Sequence, residues 1–202
     1  ILELHEEVFK GILQDAGRWR NINVRIAGTG LVPPRMEKVV PQMEELIEEY
    51  DRRVILGEDI FETGAWFHYE FERVHPFSDG NGRIGRLLLN LHFLKHNWPP
   101  IHILPVNRKE YLESLKECER GSMDPLKDLM MKQMGSSLLD LLDSAGTSDD
   151  ELMELKVIAK DVPYSDKYLS LRCNQGKLPG VLSGNRWRTS RRSYESYINH
   201  KG

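Results

Sequence analysis

The chain has 202 residues, of which 40% are hydrophobic and 29% are charged, a composition that is typical of globular proteins and argues against disorder. Its apolar runs, such as 87–91, are far shorter than the roughly 20 residues that a membrane-spanning helix requires, so we expect no membrane segment. The formal net charge of −3 hides an asymmetry, because residues 161–202 carry +5 and residues 1–160 carry −8.

The first part of the chain combines a helical and an extended pattern. Leu4, Val8 and Ile12 recur every four residues, which predicts an amphipathic helix over 2–15 that ends near Gly17. The alternation over 24–26, the glycines that follow and a Pro-Pro pair then predict two short strands joined by a turn, a β-hairpin flap.

Helical spacing dominates the middle of the chain. Apolar periodicity and start and stop signals predict helices over 36–53, 58–74, 83–96, 108–119 and 125–142, with a loop over 75–82. The polar run 143–150 breaks the pattern and is the candidate linker. We therefore predict two domains, 1–145 and 146–202.

The loop before the helix predicted over 83–96 has the features of an anion site. Gly80-Asn81-Gly82 stands directly before a helix, so its backbone N–H groups and the positive end of the helix can attract phosphate oxygens. Arg83 and Arg86 lie three residues apart on the first turns and can face the same loop. This pattern favours a polyphosphate over a single phosphate.

Two further residues of the loop extend the chemistry. Asp79 adds one carboxylate beside the positive cluster, which suits a hydrated Mg²⁺ ion held together with substrate phosphates. His75, at the other end of the loop, is a candidate general base. The loop is therefore interpreted as the active site of an enzyme that binds a nucleotide polyphosphate with Mg²⁺ and transfers part of it to a hydroxyl.

The loop sequence His75-Pro-Phe-Ser-Asp-Gly-Asn-Gly-Arg-Ile-Gly-Arg86 resembles the HxFx(D/E)GNGRxxR signature of the Fic domain family, and every defined position is filled. The resemblance covers about residues 1–140. It implies a mainly α fold, a Fic-type helical bundle with a small β-hairpin flap. It also implies a protein adenylyltransferase, an enzyme that moves AMP from ATP to a Ser, Thr or Tyr hydroxyl of a target protein or of itself.

The same resemblance implies a role for individual residues. His75 would be the base and Asp79 would hold Mg²⁺. The nucleotide would be bound by residues of the loop and the flap: Gly80, Asn81, Gly82, Arg83, Arg86, Ile26 and Ala27. Tyr111, on a predicted helix, is a separate candidate for the base pocket, with a position in the core as the alternative. The flap residues Val24, Arg25 and Ile26 would register an extended segment of the target protein.

Partners and alternatives remain open at this point. The chain has no full match to the inhibitory (S/T)xxxE(G/N) motif that many family members carry, so an inhibitory helix, if one exists, should lie upstream of Ile1 or on a separate inhibitory partner. A homodimer is a further candidate. The alternative functions are a DNA-binding regulator that senses nucleotide, and a Fic enzyme that removes AMP or uses another phosphate-linked donor.

The basic C-terminal part has its own pattern. We predict helices at 152–160, after 165 and at 190–198, with a strand pair around Val181 and Trp187. This order resembles the winged-helix modules of excisionase-type or MerR-type helix-turn-helix proteins, which implies either DNA binding or protein docking. Cys118 and Cys173 match no metal or redox pattern and are expected to be free thiols, which favours a cytoplasmic location.

Overall fold

The computed structural model describes residues 1–26, 31–103, 107–145 and 151–199, with the side chains of 143–145 excepted. The described residues are mainly helical with one small antiparallel sheet, which confirms the predicted mainly α class. The chain divides into two compact units, Ile1–Lys132 and Gln133–Gly202. The domain boundary predicted after residue 145 stays a prediction.

In chain order the elements are α1 (Leu2–Phe9), α2 (Val39–Leu56), α3 (Ile60–Val74), α4 (Asn81–Lys95), α5 (Arg108–Glu119), α6 (Asp124–Ala145), β1 (Met153–Glu154), α7 (Leu155–Ile158), α8 (Asp166–Asn174), β2 (Val181–Ser183), β3 (Arg186–Thr189) and α9 (Arg191–Asn199). A 3₁₀ turn, Met36–Lys38, leads into α2. The predicted helices between residues 36 and 142 therefore form, most with ends shifted by a few residues. The predicted linker begins later than expected, because 143–145 belong to α6.

The first helix is shorter than predicted. It ends at Phe9 instead of residue 15, because Gly11 follows with a φ of +77°, a left-handed conformation that ends a helix. Its buried residues are His5 and Phe9, whereas Ile12 is 71% exposed. The helix therefore presents a histidine and a phenylalanine to the core, one position away from the apolar stripe that the sequence suggested.

The predicted β-hairpin flap is not formed as strands in the described residues. Residues 22–26 and 31–35 have no ladder pairing, and Ala27 lies outside the described residues together with 28–30. Pro33 and Pro34 have no N–H group to donate to a ladder, which removes two bonds from any pairing there. The segment is tied by side chains instead, since Asn23 Oδ1 accepts the Met36 N–H at 2.9 Å.

The core of the first unit is built by α2, α3 and α4 around the segment that joins α3 to α4. Its buried members are Phe9, Val39, Met43, Leu46, Phe67, Phe71, Val74, Phe77, Ile84 and Leu88. Asp59 caps α3, because its Oδ1 atom accepts the Glu62 N–H at 2.8 Å. Fully buried Phe77 comes from the α3–α4 loop itself, so the loop is anchored in the same core that holds the two helices.

The second unit carries the sheet, with antiparallel strands in the order β1-β3-β2. The predicted strand pair is confirmed: Leu182 pairs with Trp187, and Gly184 and Asn185 form a two-residue turn with φ of +55° and +65°. The helix predicted at 152–160 is partly wrong, since 153–154 pair with β3 and only 155–158 are helical. Cross-strand pairing here outweighs local helix propensity. The identity of this unit as a winged helix stays a prediction.

Two expectations about chemistry and environment can be compared with the structure. Cys118 and Cys173 are free and buried, and burial raises the pKa of each thiol to about 11, so neither has the character of a nucleophile. Among the described helices, none is both long and apolar enough to cross a bilayer.

Candidate active site

The loop between α3 and α4 is clamped to the core by one side chain. Asn81, at the first position of α4, donates from Nδ2 to the Phe77 carbonyl at 2.9 Å and accepts the Phe77 N–H on Oδ1 at 2.8 Å. Both residues are buried. The side chain of Asn81 is therefore used inside the protein, and only its backbone N–H is left for a ligand at the start of the helix.

Gly80 permits the turn that presents these amides. It has a φ of +84°, and a Cβ atom at this position would lie 2.4 Å from Cζ of Phe9, so any other residue would be both strained and in collision. Its carbonyl accepts the N–H groups of Arg83 and Ile84, each at 3.0 Å. The first amides of α4, those of Asn81 and Gly82, have no carbonyl in the preceding turn to bond with, which is the geometry of an anion-binding helix start.

The two arginines of the loop occupy different environments. Arg83 is exposed, its guanidinium lies 4.4 Å from the ring centroid of Phe9, and its Nη2 atom lies 3.7 Å from Asp79 Oδ1. Arg86 is half-buried and leans toward the first turn, since its Nη1 atom lies 3.4 Å from the position of a Cβ atom on Gly82. One cation therefore stands at the rim of the loop and the other beneath it, a spacing that can serve successive phosphates.

Asp79 fits the magnesium ion that the sequence predicts. Its side chain is 66% exposed, with Oδ1 accepting the Gly80 N–H at 2.6 Å. In the part of the chain that the structure describes, no group of three or more His, Cys, Asp or Glu side chains forms a metal cage. A single exposed carboxylate suits Mg²⁺, which keeps several waters and is usually held by one or two carboxylates together with phosphates.

His75 is held in the form that a general base requires. It ends α3 with a φ of +50°, and its Nδ1 atom lies 3.2 Å from the Glu72 carbonyl oxygen. Because a carbonyl oxygen can only accept, the neutral ring carries its hydrogen on Nδ1 and a lone pair on Nε2. Burial is the main reason that the pKa of His75 lies below its ordinary value, and the charge of Arg20 acts in the same direction. The ring is therefore neutral at pH 7.

Arg20, which was not among the predicted site residues, connects His75 to the flap segment, whose described residues are 21–26 and 31–35. Its buried guanidinium donates to His75 O at 2.8 Å and Val74 O at 3.3 Å at the end of α3. It also donates to Ile22 O at 2.8 Å and Pro34 O at 2.6 Å, at the two ends of the flap segment. Burial lowers its pKa. One side chain thus fixes both sides of the site.

His5 is a second residue that sequence reasoning missed. Its buried ring stacks on Phe77 at a centroid distance of 3.7 Å and an angle of 11°. Nε2 lies 3.1 Å from the Asp79 carbonyl oxygen, and Nδ1 accepts the Gly17 N–H at 2.9 Å. Its spacing of four residues from buried Phe9 was the available signal, since a polar residue on the buried face of a helix has a specific partner.

The predicted nucleotide ligand Tyr111 lies inside the bundle. It is 9% exposed, and its hydroxyl donates to Nε2 of His68 at 2.8 Å while His68 Nδ1 donates to Gly85 O at 3.1 Å. Burial lowers the pKa of His68 to about 4, so this histidine is neutral. The hydroxyl of Tyr111 is thus committed to the contact between α5 and α3, and a part in base binding stays a prediction for its ring.

The predicted flap residues follow Ile22, whose carbonyl is bonded by Arg20, by two to four residues in the chain. Val24 and Ile26 are half-buried and Arg25 is exposed. Ala27 lies outside the described residues. The structure therefore brings together residues 75–86 as one site, with a neutral base at one end and a cationic helix start at the other, an arrangement that can bind a polyphosphate and accept a proton beside it.

Comparisons with known proteins agree with this geometry. Residues 1–93 match the Fic/DOC family. Protein adenylyltransferase fic-1 of Caenorhabditis elegans is 33% identical over 181 residues, which cover 87% of this chain and 35% of that protein. Protein adenylyltransferase Fic of Nematostella vectensis is 32% identical over 129 residues, 62% of this chain and 29% of that protein. The chain therefore spans about a third of the length of these relatives.

A solved structure is also similar. Fic-1 of C. elegans, as a fragment, has a TM-score of 0.64 and 30% sequence identity, covering 71% of this chain and 42% of that fragment.

Proposed function

Since the chain carries a Fic/DOC family domain, we propose that it is a protein adenylyltransferase, which transfers AMP from ATP to a Ser, Thr or Tyr hydroxyl of a target protein or of itself. One observation carries the proposal. A neutral histidine with an accepting Nε2 atom and a helix start flanked by two arginines are built into a single twelve-residue segment, 75–86. Base and phosphate cradle are thus placed for one reaction.

The reaction needs a proton acceptor and a site for developing charge. In the proposed step the acceptor hydroxyl loses its proton to Nε2 of His75 and its oxygen forms a bond to the α-phosphorus. The bond from that phosphorus to the bridging oxygen breaks, and pyrophosphate leaves. The backbone N–H groups of Asn81 and Gly82 stabilise the charge that develops on the α-phosphate oxygens.

The remaining loop residues position the nucleotide. Arg83, at the rim, supports the phosphate chain, and Arg86 beneath it binds the γ-phosphate. Asp79 would hold Mg²⁺, and the ion would neutralise negative charge on the substrate phosphates. Val24, Arg25 and Ile26 would align an extended segment of the target beside the loop.

The test is incubation of the chain with Mg²⁺ and ATP labelled at the α-phosphate, alone and with a cell lysate. We expect label on the chain or on a lysate protein, lost in His75→Ala and kept in His102→Ala, which removes an exposed histidine as a matched control. Label that survives in His75→Ala would contradict the assignment of the base. No label despite demonstrable ATP binding would contradict the transferase and favour nucleotide sensing.

Two other reactions of the same site can be distinguished from AMP transfer by variants of this assay. If the enzyme removes AMP, a pre-labelled target will lose its label on incubation with the chain. If it uses another phosphate-linked donor, the target will gain mass from that donor and no label from ATP. The lone pair on Nε2 of His75 suits each of these reactions, so donor and direction are decided by the labelling pattern.

The C-terminal unit keeps two candidate roles, DNA contact and protein docking. Exposed Lys167 and Asn174 on α8 could face DNA, whereas Arg186 and Arg191 are each paired with a carboxylate at 3.0 Å. Fluorescence anisotropy with a random-sequence duplex distinguishes the roles. DNA contact predicts binding that weakens steeply with salt, and no binding at low salt favours docking.

A further inference from the structure

Glu72 lies on the buried side of α3, one turn before His75, and the chemistry described above makes no use of its side chain. The side chain is 7% exposed, and its Oε1 atom is buried with no hydrogen-bond partner among the described residues. A carboxylate in such a position is destabilising unless its charge is used or removed. The role of this carboxylate is therefore inferred from the charged and titratable groups around it.

The carboxylate lies directly behind the base. Glu72 Oε2 is 3.9 Å from Nδ1 of His75, and the backbone carbonyl of the same residue is the group that orients this nitrogen. On the other side, a Cβ atom on Gly85 would lie 2.5 Å from Oε1. The glycine therefore lets α3 and α4 approach closely enough to enclose the carboxylate behind the loop.

The charged and titratable groups around Glu72 come from three helices. From α4, Arg86 favours the ionised carboxylate. From α3, His68 approaches the same position on Gly85 and is neutral, with its pKa lowered to about 4. From α5, Tyr111 has a pKa raised by burial and by the charge of Glu72, and it is neutral as well. Glu72 is thus the group in this cluster that can place a negative charge near Nδ1 of His75. Two further charges act on His75, since that of Arg20 lowers its pKa and that of Asp79 raises it.

We propose that Glu72 is a positioning residue for His75, whose carboxylate stabilises the imidazolium that forms when Nε2 takes the proton of the acceptor hydroxyl. The proposal rests on the transferase function proposed above. The positive charge of the imidazolium is shared with Nδ1, the ring atom nearest to the carboxylate. A carboxylate behind a catalytic histidine stabilises its charged form and holds its tautomer in the Ser-His-Asp enzymes.

The protonation states of the pair define when this support is present. Burial raises the pKa of Glu72 to about 7, while Arg86 acts in the opposite direction. The pKa of His75 lies below its ordinary value. As the pH falls, the pair therefore takes up its first proton near pH 7 and its second at lower pH. Above about pH 7 the ionised carboxylate of Glu72 stabilises the protonated form of His75. This stabilisation is lost as the pH falls through the first step.

The alternative is that Glu72 acts only on Arg86, and steady-state kinetics distinguish this role from an effect on His75. If Glu72 only held this guanidinium in place for the γ-phosphate, loss of its charge would raise KM for ATP and leave kcat intact. Support of His75 acts on proton transfer, so loss of the charge would lower kcat and leave KM for ATP almost unchanged.

Glu72→Gln keeps the shape of the side chain and removes its charge. At pH 8 we expect kcat to fall roughly tenfold, with KM for ATP within about twofold of wild type. In wild type kcat should fall in two stages as the pH falls, roughly tenfold near pH 7 as Glu72 is protonated and then further as His75 is protonated, whereas Glu72→Gln should show the second stage alone. Glu72→Asp should recover part of kcat. Glu70→Gln, on the same helix and paired with Arg73 at 2.7 Å, should behave as wild type. An unchanged kcat, or a raised KM alone, would overturn the proposal.

The closing experiment does not depend on transfer. The ring signals of His75, assigned by comparison with His75→Ala, are followed by NMR against pH in the free protein. We expect two steps in wild type and in Glu70→Gln, the upper one near pH 7, and a single lower step in Glu72→Gln. A single step in wild type, or an upper step that persists in Glu72→Gln, would overturn the coupling. Two steps in a protein that transfers no AMP would retain the coupling and reject the function.

Discussion

The loop 75–82 and the described residues of the flap segment, 21–26 and 31–35, are connected by Arg20 and are held in opposite ways. The loop is fixed along its length: Phe77 is fully buried, Asn81 clamps it, and His5 holds Asp79. The flap segment has no ladder pairing among its described residues and is tied at its ends by Arg20 and Asn23. The difference is consistent with the proposed function, in which the rigid loop carries the chemistry and the flap segment recognises the target.

The largest effect is expected from Gly80→Ala, which disrupts the packing of the rigid loop. The new Cβ atom would combine a left-handed φ with a 2.4 Å approach to Phe9, so we expect a loss of about 4 kcal/mol in the free energy of unfolding and transfer below detection. Gly121→Ala is the control, since Gly121 has a φ of +97° and open space around it. Chemical denaturation measures both, and equal losses would contradict a role for the Phe9 contact.

Asn81→Ala should come next, because it leaves the Phe77 N–H and C=O groups buried without partners. We expect about 3 kcal/mol of destabilisation together with a large loss of kcat. Asn90→Ala is a close match, because Asn90 makes the same pair of bonds to Ile101, at 3.1 and 2.8 Å. It should lose similar stability and keep its kcat at a temperature where both variants are folded. A similar fall of kcat in both would show that stability alone is responsible.

Arg20→Lys tests the connection between the two regions. The lysine keeps the charge but cannot reach the four carbonyls that the guanidinium bonds, so we expect about 2 kcal/mol of destabilisation. Because the charge near His75 is retained, the pH dependence of transfer should change little while KM for the target protein rises. A changed pH profile with an unchanged KM would show that Arg20 acts on the base and not on the flap.

The smallest effect on stability is expected from Arg25→Ala. Arg25 is exposed, so the free energy of unfolding should stay within about 0.5 kcal/mol of wild type. Transfer to a protein target should weaken, while ATP affinity measured by calorimetry should not. If ATP affinity falls as well, the flap segment contributes to nucleotide binding and is not confined to recognition of the target.

The parts that could be predicted from the sequence are those with a local signal. The loop residues from His75 to Arg86 are adjacent in the chain, and the helices of the first unit follow from apolar spacing. Arg20 could not be recognised as a site residue, because one of its partners, the His75 carbonyl, lies 55 residues further along the chain. For His5 the spacing from Phe9 indicated a buried position, but its partner, the Asp79 carbonyl, lies 74 residues away and could not be predicted. The strand β1 was missed for the same reason, since it exists only through pairing with β3.

In the proposed function, His75 accepts a proton during the transfer of AMP and is not needed for the binding of ATP. The most direct test compares wild type with His75→Ala in two measurements on the same samples, ATP affinity by calorimetry and AMP incorporation by intact mass. We expect affinities within about twofold of each other and a loss of incorporation of at least about 100-fold in the variant. Incorporation that persists in His75→Ala with unchanged ATP affinity would contradict this role of His75.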